Sequence, residues 1–128
     1  MPIVHIHLRD IWSPEQARGI SDAIHLALVD AFRIPDHDYH HLVHRCDPGE
    51  FILSDSKSVN TVLIEMSIFA GRSPEAKAKL YRGISDRLAV FGIAPESVLV
   101  VLQEQPMENW GLRGVRGDQV ELGFERKV

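Results

Sequence analysis

The strongest constraint on the fold of this chain is a repeat within its own sequence, with an offset of about 60 residues. Residues 13–16 (Ser-Pro-Glu-Gln) recur as residues 73–76 (Ser-Pro-Glu-Ala). Residues 32–35 (Phe-Arg-Ile-Pro) recur, less closely, as residues 91–95 (Phe-Gly-Ile-Ala-Pro). The matches lie where helices are expected to begin and end, so the chain repeats an order of elements more than individual side chains.

The first copy has the pattern strand, helix, strand. Residues 3–9 are rich in β-branched side chains, which favours a strand. Ser13 and Pro14 suit the N-cap and the first position of a helix, and Pro35 ends that helix. A strand is predicted at about residues 39–45. The apolar face of the helix is predicted to comprise Ile20, Ile24, Ala27, Leu28, Ala31 and Phe32.

The second copy repeats this order after a turn. Asp-Pro-Gly at 47–49 is a turn sequence, which predicts a hairpin over residues 50–54. Residues 61–69 are the longest strand signal in the chain, Ser73 caps the second helix, and residues 98–102 are apolar enough for a strand covered on both faces. The second helix face is predicted to comprise Leu80, Tyr81, Ile84, Leu88 and Phe91.

These elements predict a single α/β domain over residues 1–128 (α+β in some classifications). It consists of two tandem β-α-β units, residues 2–54 and 59–103, and a tail, residues 104–128. Because crossovers between parallel strands are right-handed, we expect a four-stranded, mainly parallel sheet with both helices on one face. The other face would be bare, and association of several copies through their sheets is the natural way to cover it.

Composition excludes several classes of protein. The 14 Lys and Arg against 18 Asp and Glu give a net charge of −4, which argues against a general nucleic-acid binder. The single Cys46 excludes an internal disulfide framework. No apolar run reaches the roughly 18–20 residues that span a bilayer, and the N-terminus does not resemble a signal peptide. We therefore expect a cytoplasmic protein without membrane contacts.

Pro2 is the first candidate for chemistry. Removal of Met1 would expose a prolyl secondary amine at the start of a strand. Burial and a nearby cation would both disfavour the charged amine and bring its pKa toward neutrality, where a general base works best. The plainer interpretation is that Pro2 is merely a permissive second residue. If Met1 is retained, the Pro2 nitrogen is an amide and cannot act as a base.

Arg72 is the second candidate, because it directly precedes the start of the second helix. A helix N-terminus attracts anions, and a guanidinium beside it can hold a carboxylate with two hydrogen bonds. An ordinary surface arginine is the competing interpretation. The first helix has Trp12 in the corresponding position, so the two copies are not chemically equivalent.

The tail contains a glycine-rich stretch, residues 109–118, with Trp110 near its start. Trp110 could form the wall of a pocket, with Arg113 or Arg116 above it. The stretch lacks the strand–loop–helix context of a phosphate-binding motif, which argues against a nucleotide site. A turn-rich interface segment is an equally good interpretation.

Histidines are unusually frequent, and a metal site assembled from them is an alternative hypothesis. His5 and His7 share one strand face, and residues 37–44 contain four histidines. No helical pair of histidines with a neighbouring acid is present, so we expect neither a metal nor another cofactor. Asp38 could orient a water molecule or the proline amine, or it could be a simple turn acid.

Together these features resemble the tautomerase superfamily, and in particular its malonate semialdehyde decarboxylase-like branch of about 130 residues. The resemblance rests on Pro2, the doubled β-α-β unit, Gly-Arg-Ser at 71–73, Ile-Pro-Asp-His-Asp at 34–38 and Asn-Trp at 109–110. It implies a homotrimer whose sheets surround a common axis. It also implies that Pro2 is the acid–base group, that Asp38 assists it, and that arginine binds a small carboxylate substrate.

The resemblance favours keto–enol tautomerisation of a small 2-oxo or 2-hydroxyalkenoic acid, with Arg72 and Trp110 binding the substrate. Either tail arginine, Arg113 or Arg116, could supply a second cation, and we expect Arg113 to bind the substrate as well. One departure matters: the decarboxylase has two arginines in an Arg-x-Arg arrangement, and Ala70 stands at the first position here. Decarboxylation or hydration of a 3-oxo acid such as malonate semialdehyde is therefore the alternative. A non-catalytic trimer that binds a carboxylate or a metal is the other.

Overall fold

The computed structural model describes residues 2–128, so the expected removal of Met1 lies outside the described residues. The main elements along the chain are β1 (Ile3–Arg9), α1 (Pro14–Phe32), β2 (His41–Cys46), β3 (Val62–Phe69), α2 (Pro74–Leu88), β4 (Val98–Gln105), β5 (Gly111–Leu112) and β6 (Val115–Arg116). No helix in residues 2–128 is both long and apolar enough to cross a membrane.

Both helices begin where the caps predict. The Ser13 hydroxyl accepts a hydrogen bond from the Gln16 backbone N–H at 3.1 Å, and the Gln16 side chain accepts one from the Ser13 N–H at 2.8 Å. Ser73 caps α2 in the same way by accepting from the Ala76 N–H at 3.1 Å. Proline follows each cap at the first helical position, where its missing N–H leaves no hydrogen bond unmade.

The four long strands form one sheet in the order β2-β1-β3-β4. Strands β1 and β2 pair in parallel, and so do β3 and β4, while β1 and β3 join the two units in antiparallel fashion. Each β-α-β unit therefore supplies one parallel pair, and the predicted four-stranded, mainly parallel sheet is confirmed.

The core lies between the sheet and the two helices. The predicted face of α1 is fully buried, and so are the α2 residues Leu80, Ile84 and Leu88. Tyr81, predicted on the same face, is 40% exposed, and Phe91 lies in a short 3₁₀ turn beyond the end of α2.

The tail covers one end of the opposite face of the sheet, where Trp110 and Leu112 pack with Phe69, but other apolar side chains of this face are exposed. Leu42, Leu99 and Val101 point away from the helices and are 47%, 57% and 42% exposed. Strand β4 is thus covered on one face only within a single chain, in contrast to the two-sided burial predicted from its apolar sequence.

The predicted hairpin at residues 50–54 is wrong. The Asp47 carbonyl accepts hydrogen bonds from the N–H groups of Glu50 and Phe51 at 2.8 and 3.2 Å, which makes successive turns. The Arg9 guanidinium then holds the Phe51 carbonyl at 2.9 Å. The backbone groups that a hairpin would pair are therefore used in turns and in a side-chain contact.

Candidate functional site

The topology brings four chain positions to one end of the sheet. Parallel strands β1 and β2 both start there, and antiparallel β3 ends there, because Ile3 is opposite Ser67. Strand β4 also ends at this point, with Gln105 opposite Phe69. Pro2, immediately before β1, thus lies at the same end as the segment before β2 that contains Asp38.

A cavity of about 170 Å³ opens at this end of the sheet. Its lining comes from the segment between α1 and β2, the end of β3, the β5–β6 turn and the tail. The lining residues are Pro35, His37, Asp38, Phe69, Leu112, Arg113, Val120, Glu121, Leu122 and Phe124. The mixture of an apolar wall, one guanidinium, one imidazole and two carboxyl groups is typical of a site for a small polar ligand.

Asp38 is held in a turn at the entrance to β2. Its backbone N–H donates to the Pro35 carbonyl at 3.0 Å. Its carboxylate is 13% exposed and lies 3.4 Å from Nδ1 of His40. Asp38 thus lies after the end of α1 and lines the cavity, and its role in orienting a water molecule or the proline amine stays a prediction.

Arg113 reaches the cavity from a two-residue hairpin turn. Leu112 pairs with Val115, so Arg113 and Gly114 form the turn, with φ angles of 53° and 77°. Two successive positive φ angles are typical of a type I′ turn, whose twist matches that of the flanking strands. A non-glycine residue in this region is uncommon, and such residues are found preferentially at functional sites.

Trp110 lies behind the cavity wall and is not part of its lining. The residue is 8% exposed, and its indole ring packs edge-on against Phe69, with ring centroids 4.7 Å apart. Its Nε1–H donates to the Gln105 carbonyl at 3.3 Å. Trp110 therefore fixes the position of Phe69 and anchors the tail to the end of β4.

Arg72 is also outside the cavity lining, because its guanidinium is buried in another set of contacts. The side chain donates to the carbonyl of Phe32 and, at 3.5 Å, to that of Glu125. The residue is 7% exposed, and burial lowers the pKa of its guanidinium to about 10. Glu125 opposes this pKa shift, and Arg126 adds to it. The group stays charged at neutral pH.

The tail covers the N-terminus of α2, where an anion site was expected. The Ser73 N–H donates to the Val128 carbonyl oxygen at 2.9 Å, and the Arg126 guanidinium donates to the Ala70 carbonyl at 2.7 Å. Gly71 has a φ of 119°, which suits glycine and lets the tail approach closely.

The histidines of residues 37–44 are divided among three environments. His37 lines the cavity, and His40 faces Asp38. His41 turns toward α1, where its Nδ1 lies 2.8 Å from the Ser21 hydroxyl, while His44 turns to the open face of the sheet. Among residues 2–128, no group of three or more His, Cys, Asp or Glu side chains has an arrangement that could hold a metal ion.

Several of the residues that line the cavity could not be identified from the sequence. Phe69 ends a predicted strand, and only the antiparallel pairing of β1 with β3 places it beside the start of β1. Glu121 and Phe124 lie in a tail without periodicity, so no local pattern indicates that Phe124 packs against Phe69 and Leu112 or that Glu121 lines the cavity.

Two protein-family models and a bacterial relative match this chain. The model of a tautomerase enzyme family matches residues 38–113, and a second tautomerase enzyme model matches residues 2–59. Probable tautomerase YusQ of Bacillus subtilis (strain 168) is 27% identical over 127 residues, which cover 94% of this chain and 100% of YusQ.

Two solved structures have the same fold as this chain. The chain is 31% identical to malonate semialdehyde decarboxylase, with a TM-score of 0.81 over 92% of this chain and 99% of that one. A fused 4-OT, described as an asymmetric trimer, has a TM-score of 0.80 at 21% identity over 91% of this chain and 96% of that one. The chain belongs to the tautomerase superfamily, in its malonate semialdehyde decarboxylase-like branch.

Proposed function

We propose that this protein catalyses keto–enol tautomerisation of a small 2-oxo or 2-hydroxyalkenoic acid. The observation that carries the proposal is the cavity at the end of the sheet where β1 begins, with Asp38 and Arg113 in its wall. Such an isomerisation needs a base, a proton donor and a cation for the carboxylate, and it needs no redox cofactor.

The base in this proposal is the amine of Pro2 after removal of Met1. Pro2 is buried, and burial disfavours the protonated amine, so that a larger fraction is free to accept a proton at neutral pH. The amine removes the proton of the enol hydroxyl and returns a proton to carbon, as the electron pair of the O–H bond becomes part of the new carbonyl. The electron pair of the carbon–carbon double bond forms the new C–H bond, so substrate and product differ only in the positions of that proton and of the double bond.

Arg113 binds the substrate carboxylate in this scheme, because its side chain lies on the cavity. A guanidinium can form two parallel hydrogen bonds to a carboxylate, and the same charge stabilises the enolate that develops on the neighbouring oxygen. Asp38 orients the amine or a water molecule, and Trp110 contributes by holding Phe69 in the apolar wall.

Arg72 remains a candidate for a second contact with the carboxylate. Its present donors are directed at the carbonyls of Phe32 and Glu125. A direct contact therefore requires the tail to move away from the start of α2.

The second candidate function is decarboxylation or hydration of a 3-oxo acid such as malonate semialdehyde. The observation in its favour is the 31% identity to malonate semialdehyde decarboxylase over 92% of this chain. Ala70 stands against it, because the first arginine of that enzyme's Arg-x-Arg arrangement has no counterpart in this sequence. A non-catalytic trimer that binds carboxylates or a metal is the remaining alternative.

The functional unit in this proposal is a homotrimer in which the open faces of three sheets surround a common axis. The exposed apolar side chains of that face support it, since they would be removed from water on assembly. The fused 4-OT of the same fold is described as a trimer.

The decisive experiment combines intact mass with activity. We expect the purified chain to lack one methionine and to interconvert phenylenolpyruvate and phenylpyruvate, followed by ultraviolet absorbance. Acetylation of the Pro2 amine should lower kcat/KM about 100-fold or more, the usual size of a general-base effect. Full activity of the acetylated protein would overturn the proposal, and release of acetaldehyde from malonate semialdehyde with no tautomerase activity would favour the second candidate.

A further inference from the structure

Three histidines and one glutamate form a cluster on the open face of the sheet, away from the cavity. His5 and His7 lie on β1, His44 lies on β2 and Glu65 lies on β3; the register places His7 opposite His44, and His5 opposite Glu65. The three imidazole rings are stacked, with centroids 4.7, 5.2 and 6.2 Å apart. They border a depression of about 330 Å³ with Ser67 and Gln103.

The hydrogen bonds of this cluster limit how many protons it can hold. Nδ1 of His5 lies 2.9 Å from Nε2 of His44, so one ring must donate while the other accepts. Nε2 of His7 donates to the Glu65 carboxylate at 2.8 Å, a contact that a proton on His7 strengthens. One added proton is thus balanced by Glu65. Protons on both His5 and His44 would set two N–H groups against each other.

We propose that this cluster makes the interface between copies of the chain sensitive to acid, so that protonation of the histidines separates the trimer into folded single chains. The inference rests on the trimer of the proposed function, in which a second copy of this chain covers the open face. Leu42 and Val101 lie on the same face as the cluster, so the apolar surface that assembly buries is continuous with it.

Burial in the interface supplies the physical reason. In the separate chain, water can solvate the added charges. Between sheets, water is excluded, and several imidazolium groups at ring distances of about 5 Å would repel one another with little screening. Even in one chain the pKa of His44 is lowered, first by burial and then by His7 and His5, while Glu65 opposes the shift.

The other groups around the cluster do not compensate this charge. Arg9 and Cys46 are the next titratable residues on the same face, and the Arg9 guanidinium is used to hold the Phe51 carbonyl. On β4, the neighbouring side chains are Val101 and Gln103, which do not titrate. The Lys77–Glu104 ion pair lies on the helix side of the sheet. Glu65 is thus the only carboxylate that the described residues place against the cluster.

The test is the oligomeric state of the full chain, measured by sedimentation between pH 8.0 and pH 5.5 over a range of concentrations. We expect a species of three times the 14.4 kDa chain mass at pH 8.0. At pH 5.5 the concentration needed for half-assembly should rise about 100-fold, since each chain takes up more than one proton on release. Far-UV circular dichroism should show that the helices persist.

Two variants with opposite expected effects separate this inference from a general acid effect. His5→Asn combined with His44→Gln keeps hydrogen-bonding groups but removes two protonation sites. The concentration needed for half-assembly should then rise less than about threefold between pH 8.0 and pH 5.5. Glu65→Gln removes the balancing carboxylate, so a proton on His7 also opposes assembly, and the rise at pH 5.5 in the concentration needed for half-assembly should exceed that of the wild type. His37→Gln, a change of an exposed histidine away from this face, should retain the wild-type shift.

Four results would overturn the inference. A trimer that persists unchanged to pH 5.5 would leave the proposed function intact and remove the acid sensitivity alone. A monomer at pH 8.0 at every concentration would remove both the trimer and this inference. Loss of the helices together with the trimer, or dissociation that neither the double variant nor Glu65→Gln alters, would assign the effect to groups outside the cluster.

Discussion

The guanidinium of Arg72 lies over the ring of Phe32, with its central carbon 4.7 Å from the ring centroid, and it also donates to the Phe32 backbone carbonyl. One side chain thus binds both the ring and the carbonyl of the last residue of α1. Because Arg72 also donates to the Glu125 carbonyl, it joins the end of α1, the start of α2 and the tail. This arginine therefore has a structural role whether or not it also binds substrate.

Replacement of Arg72 by methionine should lower the free energy of unfolding by about 2–3 kcal/mol, because a buried carbonyl loses a charged donor. Urea denaturation would measure the change. Arg82→Met is the matched control, because Arg82 lies on α2 and is exposed. Its effect on the free energy of unfolding should remain within about 0.5 kcal/mol. Equal stability of the two variants would contradict the structural role.

Replacement of Arg113 by glutamine should raise KM for a small oxo acid about 10- to 100-fold, because the cavity loses its guanidinium. Steady-state kinetics would show the effect as a larger change in KM than in kcat. Arg116→Gln is the control, since Arg116 is exposed and pairs with Asp118. If both variants kept the wild-type KM, the carboxylate would have to bind elsewhere.

Replacement of Gly117 by alanine should disturb the loop that carries Trp110 and Arg113. An added Cβ would overlap the Met107 carbonyl oxygen and lie 3.0 Å from Cβ of Trp110. We expect a loss of about 1–3 kcal/mol in the free energy of unfolding, with lower kcat/KM. Gly111→Ala is the control, because its added Cβ would meet no described atom within 4 Å. The two variants should differ in thermal unfolding, and identical curves would refute this account of the loop.

The stability of the fold should fall in mild acid because of His41. Burial, followed by the influence of His25, lowers the pKa of His41 to about 4 from 6.5. Its Nδ1 lies within hydrogen-bonding distance of the Ser21 hydroxyl, and its Nε2 is buried without a hydrogen-bond partner among residues 2–128. Below about pH 6.5 the unfolded chain binds a proton that the folded chain does not. The contribution of His41 to the free energy of unfolding is therefore complete above that pH and is lost as the pH falls toward 4.

After allowance for partial exposure, the loss from His41 should be roughly 1–2 kcal/mol between pH 7 and pH 4.5. Urea unfolding at several pH values would measure it, at one protein concentration throughout. His41→Asn keeps a partner for Ser21 and should flatten the dependence, whereas His37→Asn should not. A slope that is equal in wild type and His41→Asn would rule His41 out as the source.

The sequence alone was sufficient for the features that depend on neighbouring residues. The caps at Ser13 and Ser73, the buried face of α1 and the positions of the long strands were all predictable, because helix caps and side-chain periodicity are set within a few residues. The repeat also indicated two β-α-β units, and it led to a sheet with one uncovered face. The hairpin at residues 50–54 was wrong because the turn residues use their backbone groups locally.

Only the tertiary structure decided which distant residues meet. The antiparallel pairing of β1 with β3 places Glu65 beside His5 and His7, and the parallel pairing of β1 with β2 brings His44 to the same place. The tail covers Arg72, and Arg113 lies on the cavity instead. Contacts of this kind depend on strand order, register and packing across 39 or more positions of chain, and a local pattern carries no record of them.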